Sequence, residues 1–264
     1  MNKKPFRLIS FNIWGGTLYK PLMSYLKEES ATTDIFCFQE VFSSLPGAPD
    51  VSGEARMYLF EELSELLADF RGFFEIRSEG YDFNGRANFP VRHGLAMFAR
   101  KTLKAGDYSG ETVEQAAAGD DPVEALIKAQ ALSLETAGKK FLIMNFHGVA
   151  QPGDKLDTPR RIAHARKLVK IWASRPEAAK ILCGDFNMHP DNESIKILDG
   201  LGKNLIKQFK IRNTRNEVSW KKYPGSRQTF ADYVFVSPEI KVNDFKVPYN
   251  EVSDHLPMIL EFEV

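Results

Sequence analysis

The 264-residue sequence has the composition of a globular protein, with 43% hydrophobic residues, 27% charged residues and 20 phenylalanines. Its 35 basic and 35 acidic side chains give a formal net charge of zero, which argues against a protein that coats nucleic acid through a broad basic face. No apolar stretch reaches the roughly 18 residues needed to cross a bilayer, so we expect no integral membrane segment. The length fits one domain over residues 1–264.

Apolar runs of strand length recur along the chain between turn residues. The predicted strands are 6–12, 34–39, 72–77, 94–99, 129–135, 140–147, 180–184, 230–237 and 257–263. One helix is predicted over 54–69, where apolar residues recur every three or four positions, and another begins at Thr158-Pro159, a favourable cap and first turn. Strands outnumber helices, which predicts an α/β fold of two packed mixed sheets flanked by helices.

Two segments have the composition of insertions. Residues 43–53 are rich in turn formers and directly follow Glu40, so we expect a loop there that overhangs any site at Glu40. Residues 106–124 are acidic and are predicted to form a solvated connection away from such a site. Cys37 and Cys183 lie inside apolar strand runs, which predicts buried thiols and fits a cytoplasmic protein without disulfides.

Polar side chains stand where several predicted strands end. Asp185 and Asn187 follow one apolar run, and because alternate residues of an extended chain face the same side, the two point to one place. A carboxylate beside a carboxamide suits a hard cation or an attacking water. Asn12, Glu40 and His147 end three other strands. We expect these side chains to form one site.

Six motifs follow one another in a recognisable order: Asn12, Gln39-Glu40, Asn145-x-His147, Gly184-Asp185-x-Asn187, Asp232-Tyr233 and Ser253-Asp254-His255. In this order the sequence resembles the endonuclease/exonuclease/phosphatase superfamily, which includes deoxyribonuclease I, exonuclease III, neutral sphingomyelinases and inositol polyphosphate 5-phosphatases. The resemblance spans most of the chain. It implies a four-layer α/β/β/α sandwich and a metal-dependent phosphoesterase.

The resemblance assigns the metal to Glu40 as the principal carboxylate, with Asn12 and Asp254 supporting the same cation. Oxygen ligands of this kind predict Mg²⁺ or Mn²⁺, because zinc prefers histidine or thiolate. Asp185 and Asn187 are expected to orient the attacking water and a phosphate oxygen. Asp185 is either the general base or the ligand of a second metal.

The resemblance also pairs His255 with Asp232, an acid that would fix the histidine tautomer and stabilise its charged form. His147 matches a histidine of deoxyribonuclease I and the sphingomyelinases, and it would protonate the leaving oxygen or brace the transition state. Glu79 is a weaker candidate as its partner. Arg161 is predicted to contact the substrate phosphate, because its helix begins soon after the loop that follows His147.

Basic residues with interspersed aromatics favour a nuclease within this class. They comprise Arg160, Arg161, Arg166, Lys167 and Lys170, and then Lys203, Lys207, Lys210, Arg212, Arg215, Lys221, Lys222 and Arg227 with Trp220 and Tyr223. The alternative substrates are a lipid headgroup, as for sphingomyelinases, and an inositol phosphate or other small phosphate. A binding protein that lost its chemistry is disfavoured because no acidic or histidine motif position is missing. A serine hydrolase is disfavoured because no Gly-x-Ser-x-Gly motif occurs.

Overall fold

Two mixed six-stranded sheets form the centre of the computed structural model, which describes residues 5–115, 126–222 and 227–264. The strands in chain order are β1 (Phe6–Asn12), β2 (Ile35–Ser44), β3 (Val51–Ser52), β4 (Ala55–Arg56), β5 (Phe70–Glu79), β6 (Tyr81–Asp82), β7 (Gly85–Arg86), β8 (Val91–Arg100), β9 (Lys104–Gln115), β10 (Leu126–Thr136), β11 (Lys139–His147), β12 (Ala179–Asp185), β13 (Lys203–Asn204), β14 (Asp232–Val236), β15 (Lys241–Lys246) and β16 (Met258–Glu263).

The strand order is β15-β16-β1-β2-β8-β5 in the first sheet and β13-β14-β12-β11-β10-β9 in the second. Each sheet has one parallel pair at its centre, β1 with β2 and β11 with β12, and its other pairs are antiparallel. Parallel neighbours place their carboxyl ends at the same edge. Asn12 therefore pairs with Gln39 at the end of one pair, and His147 pairs with Asp185 at the end of the other.

Helices cover the outer faces of both sheets. They are α1 (Tyr19–Ser30), α2 (Leu59–Leu66), α3 (Pro159–Ser174), α4 (Glu193–Asp199), α5 (Leu205–Gln208) and α6 (Val218–Lys222), with one turn of 3-10 helix at Trp14–Gly16. The predicted start of α3 is confirmed: Pro159 is its first residue, and the Thr158 hydroxyl accepts a hydrogen bond from the Arg161 backbone N–H at 3.1 Å. In the part of the chain that the structure describes, no helix combines the length and apolar character needed to cross a membrane.

The core follows the alternation of side chains along the strands. In β1, Leu8 belongs to the apolar cluster between the two sheets, whereas Ile9 belongs to the cluster that α1 and α2 cover. Leu168 of α3 packs with the second sheet on its outer side. Because each sheet is apolar on both faces, each needs a cover of helices as well as the other sheet. The predicted four-layer α/β/β/α sandwich is confirmed.

Buried polar side chains interrupt the apolar interior between the sheets. The Asn145 amide of the second sheet accepts a hydrogen bond from the Gln39 side chain of the first at 2.6 Å, and it donates to the Phe38 carbonyl at 3.0 Å and to Gln130 Oε1 at 2.9 Å. Asn145 is fully buried. We call Gln39, Asn145 and Gln130 the intersheet bridge, because their hydrogen bonds join the two sheets directly beneath the polar strand ends.

The predicted helix over 54–69 is shorter in the structure. Glu54 has a left-handed backbone with φ of 68°, which a helix does not accept, and Ala55 and Arg56 form β4 instead. The Met57 N–H donates to the Asp50 carbonyl at 3.0 Å and completes this turn. Only Leu59–Leu66 remain helical.

The two predicted insertions also differ from expectation. Strand β2 continues beyond Glu40 and pairs Ser43 and Ser44 with β8, so only the later part of 43–53 overhangs the strand ends. Residues 106–115 belong to β9, the edge strand of the second sheet, rather than to a solvated connection. The rest of that predicted connection, 116–124, lies outside the described residues.

Candidate active site

The carboxyl ends of the two parallel pairs meet across the sandwich. Asn12 ends β1 in the first sheet, and its Nδ2 donates to Asp185 Oδ2 of the second sheet at 3.2 Å. The Nε2 atom of His147 lies 3.6 Å from Asp185 Oδ2 and 3.8 Å from Glu40 Oε1. The structure thus brings together four side chains that the sequence places far apart, as the motifs predict.

Glu40 and Asn187 both have backbones in the left-handed region. Glu40 has φ of 57° and stands where the pairing of β2 with β8 shifts register, so the bulge turns its side chain out of the strand alternation. Asn187 has φ of 54°, and its N–H donates to Asp185 Oδ1 at 2.9 Å. Non-glycine residues rarely adopt this conformation, and such strain concentrates at functional sites.

Gly184 makes the close approach of β12 to β11 possible. Its φ is 136°, and a Cβ on it would lie 2.0 Å from the Phe146 carbonyl oxygen. No side chain larger than hydrogen fits without moving the backbone. The glycine of the Gly-Asp-x-Asn motif therefore sets the position of the Asp185 backbone.

His255 is oriented by a buried carboxylate. Its Nδ1 lies 2.9 Å and 3.0 Å from the two oxygens of Asp232, whose strand position pairs with Asp185. Its Nε2 lies 3.7 Å from Asp185 Oδ2. Burial lowers the pKa of His255, but the charges of Asp232, Asp254 and Asp185 outweigh burial and raise it to about 9. This imidazole is therefore a cation and a hydrogen-bond donor at neutral pH.

The triplet Ser253-Asp254-His255 is tied to the opposite end of the sequence. The Ser253 hydroxyl donates to the Asn12 carbonyl at 2.7 Å, which joins the triplet to the end of β1. Asp254 is buried and pairs with Arg215, whose Nη2 lies 2.6 Å from Asp254 Oδ2. These contacts hold Asp254 next to the cluster formed by Glu40 and Asp185.

The carboxyl groups of the site ionise differently. Burial raises the pKa of Glu40 to about 7, although a hydrogen bond with Asn12 opposes this. Burial also acts to raise the pKa of Asp185, but the charge of His255 and those of Lys155 and Arg215 lower it to about 2. Burial and the charge of Arg77 hold the pKa of His147 well below its usual value. The arrangement offers an ionised Asp185 beside a neutral His147.

Lys155 is a component of the site that the motifs do not predict. Its side chain is 6% exposed, and its Nζ donates to the Asn187 side-chain oxygen and, at 3.3 Å, to the Ala150 carbonyl. Burial lowers the pKa of Lys155, while the Asp185 charge opposes the change. In sequence this lysine lies among Gly, Asp and Pro in a loop, so the pattern indicates only a solvated residue.

Two predicted contacts do not fit the structure. Arg161 is fully buried, and its guanidinium donates to the carbonyls of Leu156 and Pro152 at 2.6 Å, so it braces the loop after His147 rather than reaching a substrate phosphate. Glu79 is exposed and accepts a hydrogen bond from Arg92 at 3.1 Å.

The donor set fits a divalent cation. Asp185, Asp232 and His255 offer buried ligand atoms within 4.8 Å of one another, and Glu40 and Asp254 add carboxylates beside them. Asp232 is already occupied in orienting His255, and among Glu40, Asp185 and Asp254 the Glu40 side chain is the most exposed, at 21%. Carboxylate oxygens gathered without a thiolate suit a hard cation such as Mg²⁺ or Mn²⁺.

A family model described as the Endonuclease/Exonuclease/phosphatase family matches residues 9–255, and the chain belongs to that family. A search of curated proteins by sequence finds no match.

Solved structures share the fold over nearly the whole chain. The human Nocturnin catalytic domain with bound sulfate anion is 22% identical, with 98% of this chain and 93% of that chain covered and a TM-score of 0.70. The Bacteroides thetaiotaomicron mannosyl-6-phosphatase Bt3783 is 16% identical, with 98% and 100% covered and a TM-score of 0.67. D. rerio TDP2 complexed with single strand DNA product is 16% identical, with 99% and 100% covered and a TM-score of 0.65.

Proposed function

We propose that this protein hydrolyses phosphate esters with the help of Mg²⁺ or Mn²⁺, by direct attack of water on phosphorus and without a covalent enzyme intermediate. The observation that carries the proposal is the convergence of Asp185, His147 and the Asp232–His255 pair on the space beside Glu40. The cation would be held by Glu40, with Asn12 and Asp254 in support. When bound, it supplies positive charge that neutralises phosphoryl oxygens.

Asp185 is assigned to the attacking water. Its low pKa keeps it ionised at neutral pH, so it accepts a hydrogen bond from the water and orients the lone pair towards phosphorus. The Asn187 backbone N–H donates a hydrogen bond to Asp185, and Lys155 donates one to the Asn187 side-chain oxygen. The Asn187 amide is assigned to the same water or to a phosphate oxygen. Asp185 is also the candidate for the general base that takes the proton, or for the ligand of a second metal.

The two histidines are assigned to the charge that develops on the phosphoryl group. His255 is fixed at Nδ1 by Asp232, so its Nε2–H is free to donate to a phosphoryl oxygen. His147 is neutral and donates a hydrogen bond to the leaving oxygen or to the pentacovalent centre. The attacking water loses one proton to Asp185 or to solvent, the bond from phosphorus to the leaving oxygen breaks, and that oxygen takes one proton from solvent, so the protons balance while His147 stays neutral.

Nuclease activity is one candidate for the substrate, supported by the basic residues of α3 and of 203–227. The similarity in fold to TDP2 with a DNA product is consistent with it. Several of these cations are already paired, however: Arg160 with Glu114 at 2.5 Å, Lys207 with Asp199 at 2.5 Å, and Arg215 with Asp254. Tyr223, one of the predicted stacking aromatics, lies outside the described residues.

A small phosphate ester is the second candidate, and one observation favours it. The cleft beside Glu40 is lined by aromatic, amide and acidic side chains, including Phe83, Asn84 and Glu54. A groove for a phosphate backbone would be expected to carry cations instead. The similarity in fold to a mannosyl-6-phosphatase is consistent with a small ester. A sphingomyelin headgroup and an inositol phosphate belong in the same comparison.

The decisive experiment measures hydrolysis of bis(p-nitrophenyl) phosphate and p-nitrophenyl phosphate with Mg²⁺, with Mn²⁺ and with EDTA. Asp185→Asn is expected to lower kcat about 10²–10⁴-fold, because it removes the charge that orients the water. Asp191→Asn is the matched control, since Asp191 is 91% exposed and lies six positions along the chain. Equal turnover of Asp185→Asn and wild type, or turnover in EDTA, would overturn the proposal. Plasmid, single-stranded DNA, RNA, sphingomyelin and inositol phosphates complete the panel.

A further inference from the structure

The Lys155 ammonium group is buried next to Asp185 and Asn187. Its Nζ donates one hydrogen bond to Asn187 Oδ1 and another, at 3.3 Å, to the Ala150 carbonyl. Asn187 in turn donates its backbone N–H to Asp185 Oδ1 at 2.9 Å. Because only 6% of Lys155 is exposed, solvent does little to screen its charge from these two residues.

The backbone of Lys155 is held from two directions. Its carbonyl accepts hydrogen bonds from the His189 N–H at 2.9 Å and from Asn192 Nδ2 at 2.8 Å, and both of these residues follow the Gly-Asp-x-Asn motif. The Arg161 guanidinium donates to carbonyls on both sides of Lys155 in the same loop. The ammonium group is therefore a fixed part of the site.

The oxygens of Asp185 and Asn187 that could bind a second metal ion already accept hydrogen bonds. An ammonium group only donates, so the Asn187 atom that contacts Lys155 is the oxygen, and Nδ2 donates to the Gly148 carbonyl at 3.3 Å. Asp185 Oδ1 accepts from the Asn187 N–H, and Oδ2 accepts from Asn12 Nδ2 at 3.2 Å. A metal ion bound by both side chains would meet the Lys155 ammonium at the Asn187 oxygen.

Two positive charges already face the Asp185 carboxylate. The cationic His255 has its Nε2 3.7 Å from Asp185 Oδ2, and the Lys155 ammonium lies on the Oδ1 side, behind Asn187. Like charges repel strongly where little water separates them. A divalent cation at Asp185 would therefore be repelled from both sides.

Glu40 lies in a different environment. Its Oε1 is 3.8 Å from Nε2 of His147, which is neutral, and its side chain is 21% exposed. A cation can reach this carboxylate without displacing a lysine. The geometry thus separates a carboxylate suited to a metal ion from one that already has its positive charges.

We propose that the Lys155 ammonium takes the place of a second metal ion, so that the site binds one divalent cation, at Glu40, while Asp185 and Asn187 hold the attacking water. The inference rests on the proposed hydrolysis and decides between the two roles given to Asp185. Lys155 is a positioning residue, because it acts through Asn187. The second N–H of Asn187 Nδ2 is left to donate to a phosphate oxygen.

The test counts bound Mn²⁺ without any substrate, by electron paramagnetic resonance of the free ion in a titration carried well past the first site. Wild type is expected to bind one Mn²⁺ per chain. Lys155→Met removes the charge and frees the Asn187 oxygen, so it is expected to bind a second Mn²⁺ at least about tenfold more tightly than wild type. Adding Asp185→Asn to this variant is expected to remove the second ion.

Lys140→Met is the matched control, because Lys140 is exposed at the start of β11, and it is expected to bind one ion. In the wild-type background, Asp185→Asn is expected to keep one ion, whereas Glu40→Gln is expected to weaken its binding at least about tenfold. Circular dichroism checks that each variant is folded. If Lys155→Met is not, Lys155→Gln, which keeps a donor but no charge, takes its place.

Two ions in the wild type, one of them lost in Asp185→Asn, would overturn the inference and leave the proposed hydrolysis intact. A single ion in both the wild type and the folded Lys155 variant would overturn it equally, because the lysine would then exclude nothing. The proposed function fails separately: no bound Mn²⁺, or no metal-dependent turnover of any ester, would overturn it and the inference with it.

Discussion

At the scale of single residues, several polar groups of the site are held in place by a specific hydrogen-bond partner. His255 uses Nδ1 for Asp232 and leaves Nε2 facing Asp185. Asn187 uses its oxygen for Lys155 and its backbone N–H for Asp185. Such pre-positioning means that little reorganisation is required when a phosphate binds. Replacing an orienting partner should therefore reduce turnover without unfolding the protein.

The Asp232–His255 pair provides the clearest test of replacing an orienting partner. Asp232→Asn is expected to lower kcat about 10²-fold or more, because the amide no longer stabilises the charged imidazole and permits the wrong tautomer. Steady-state kinetics on p-nitrophenyl phosphate measures this. Asp244→Asn makes the same chemical change at an exposed position of β15 and should not alter kcat. Similar rates for the two variants would remove His255 from the mechanism.

Much of the site could be predicted because acids and amides at strand ends converge wherever parallel strands do. Lys155 could not be predicted, because a lysine among loop residues is usually exposed and only the folded structure shows that this one is buried. Arg161 fails for the opposite reason. From the sequence, a cation shortly after a site loop is a reasonable phosphate ligand. In the structure the Arg161 guanidinium instead donates hydrogen bonds to carbonyls of that loop, which would otherwise lack a donor.

At the scale of elements, the loop between β11 and α3 depends on an internal brace. Arg161→Met is expected to destabilise the protein by about 3 kcal/mol, because several buried carbonyls lose their donor. Arg166→Met, an exposed position on the same helix, should change the free energy of unfolding by less than about 0.5 kcal/mol. Urea unfolding followed by circular dichroism measures both. A small effect for Arg161→Met would show that water replaces the guanidinium.

The close contact between β11 and β12 at Gly184 leaves no room for an added side-chain atom. Gly184→Ala would place a Cβ 2.0 Å from the Phe146 carbonyl oxygen, so the backbone pairing must shift. We expect at least about 3 kcal/mol of destabilisation or failure to fold. Gly138→Ala, at φ of 77° with no atom within 4 Å, isolates the cost of the left-handed backbone at about 1–2 kcal/mol. Equal effects in urea titrations would contradict the steric argument.

Helices and edge strands were harder to predict than central strands. Central strands are buried on both faces and read as apolar runs, as β12 does. The edge strand β15, with sequence Lys-Val-Asn-Asp-Phe-Lys, buries only Phe245 and has no such run. Helix α1 buries only Leu22 and Leu26, too sparse a stripe to separate from a loop.

At the scale of the whole molecule, the intersheet bridge fixes one sheet against the other beneath the site. Asn145→Leu is expected to cost about 3 kcal/mol of stability, because Gln39, Gln130 and the Phe38 carbonyl lose a buried partner. Asn88→Leu makes the same replacement on the surface and should be nearly neutral. Thermal and urea unfolding provide the measurement. If Asn145→Leu were as stable as wild type, apolar contact alone would hold the sheets.

The first sheet joins the two ends of the sequence: β16 lies between β15 and β1, with Phe262 opposite Phe6. During synthesis, β1 leaves the ribosome long before its antiparallel neighbour exists, and until then that side of β1 has no strand to pair with. The Asn12 carbonyl likewise accepts its hydrogen bond from Ser253 only after that residue has been translated. A growing chain that has reached β14 therefore carries Glu40 and Asp185 but no assembled centre. The site can thus assemble only after Ser253-Asp254-His255 has been translated.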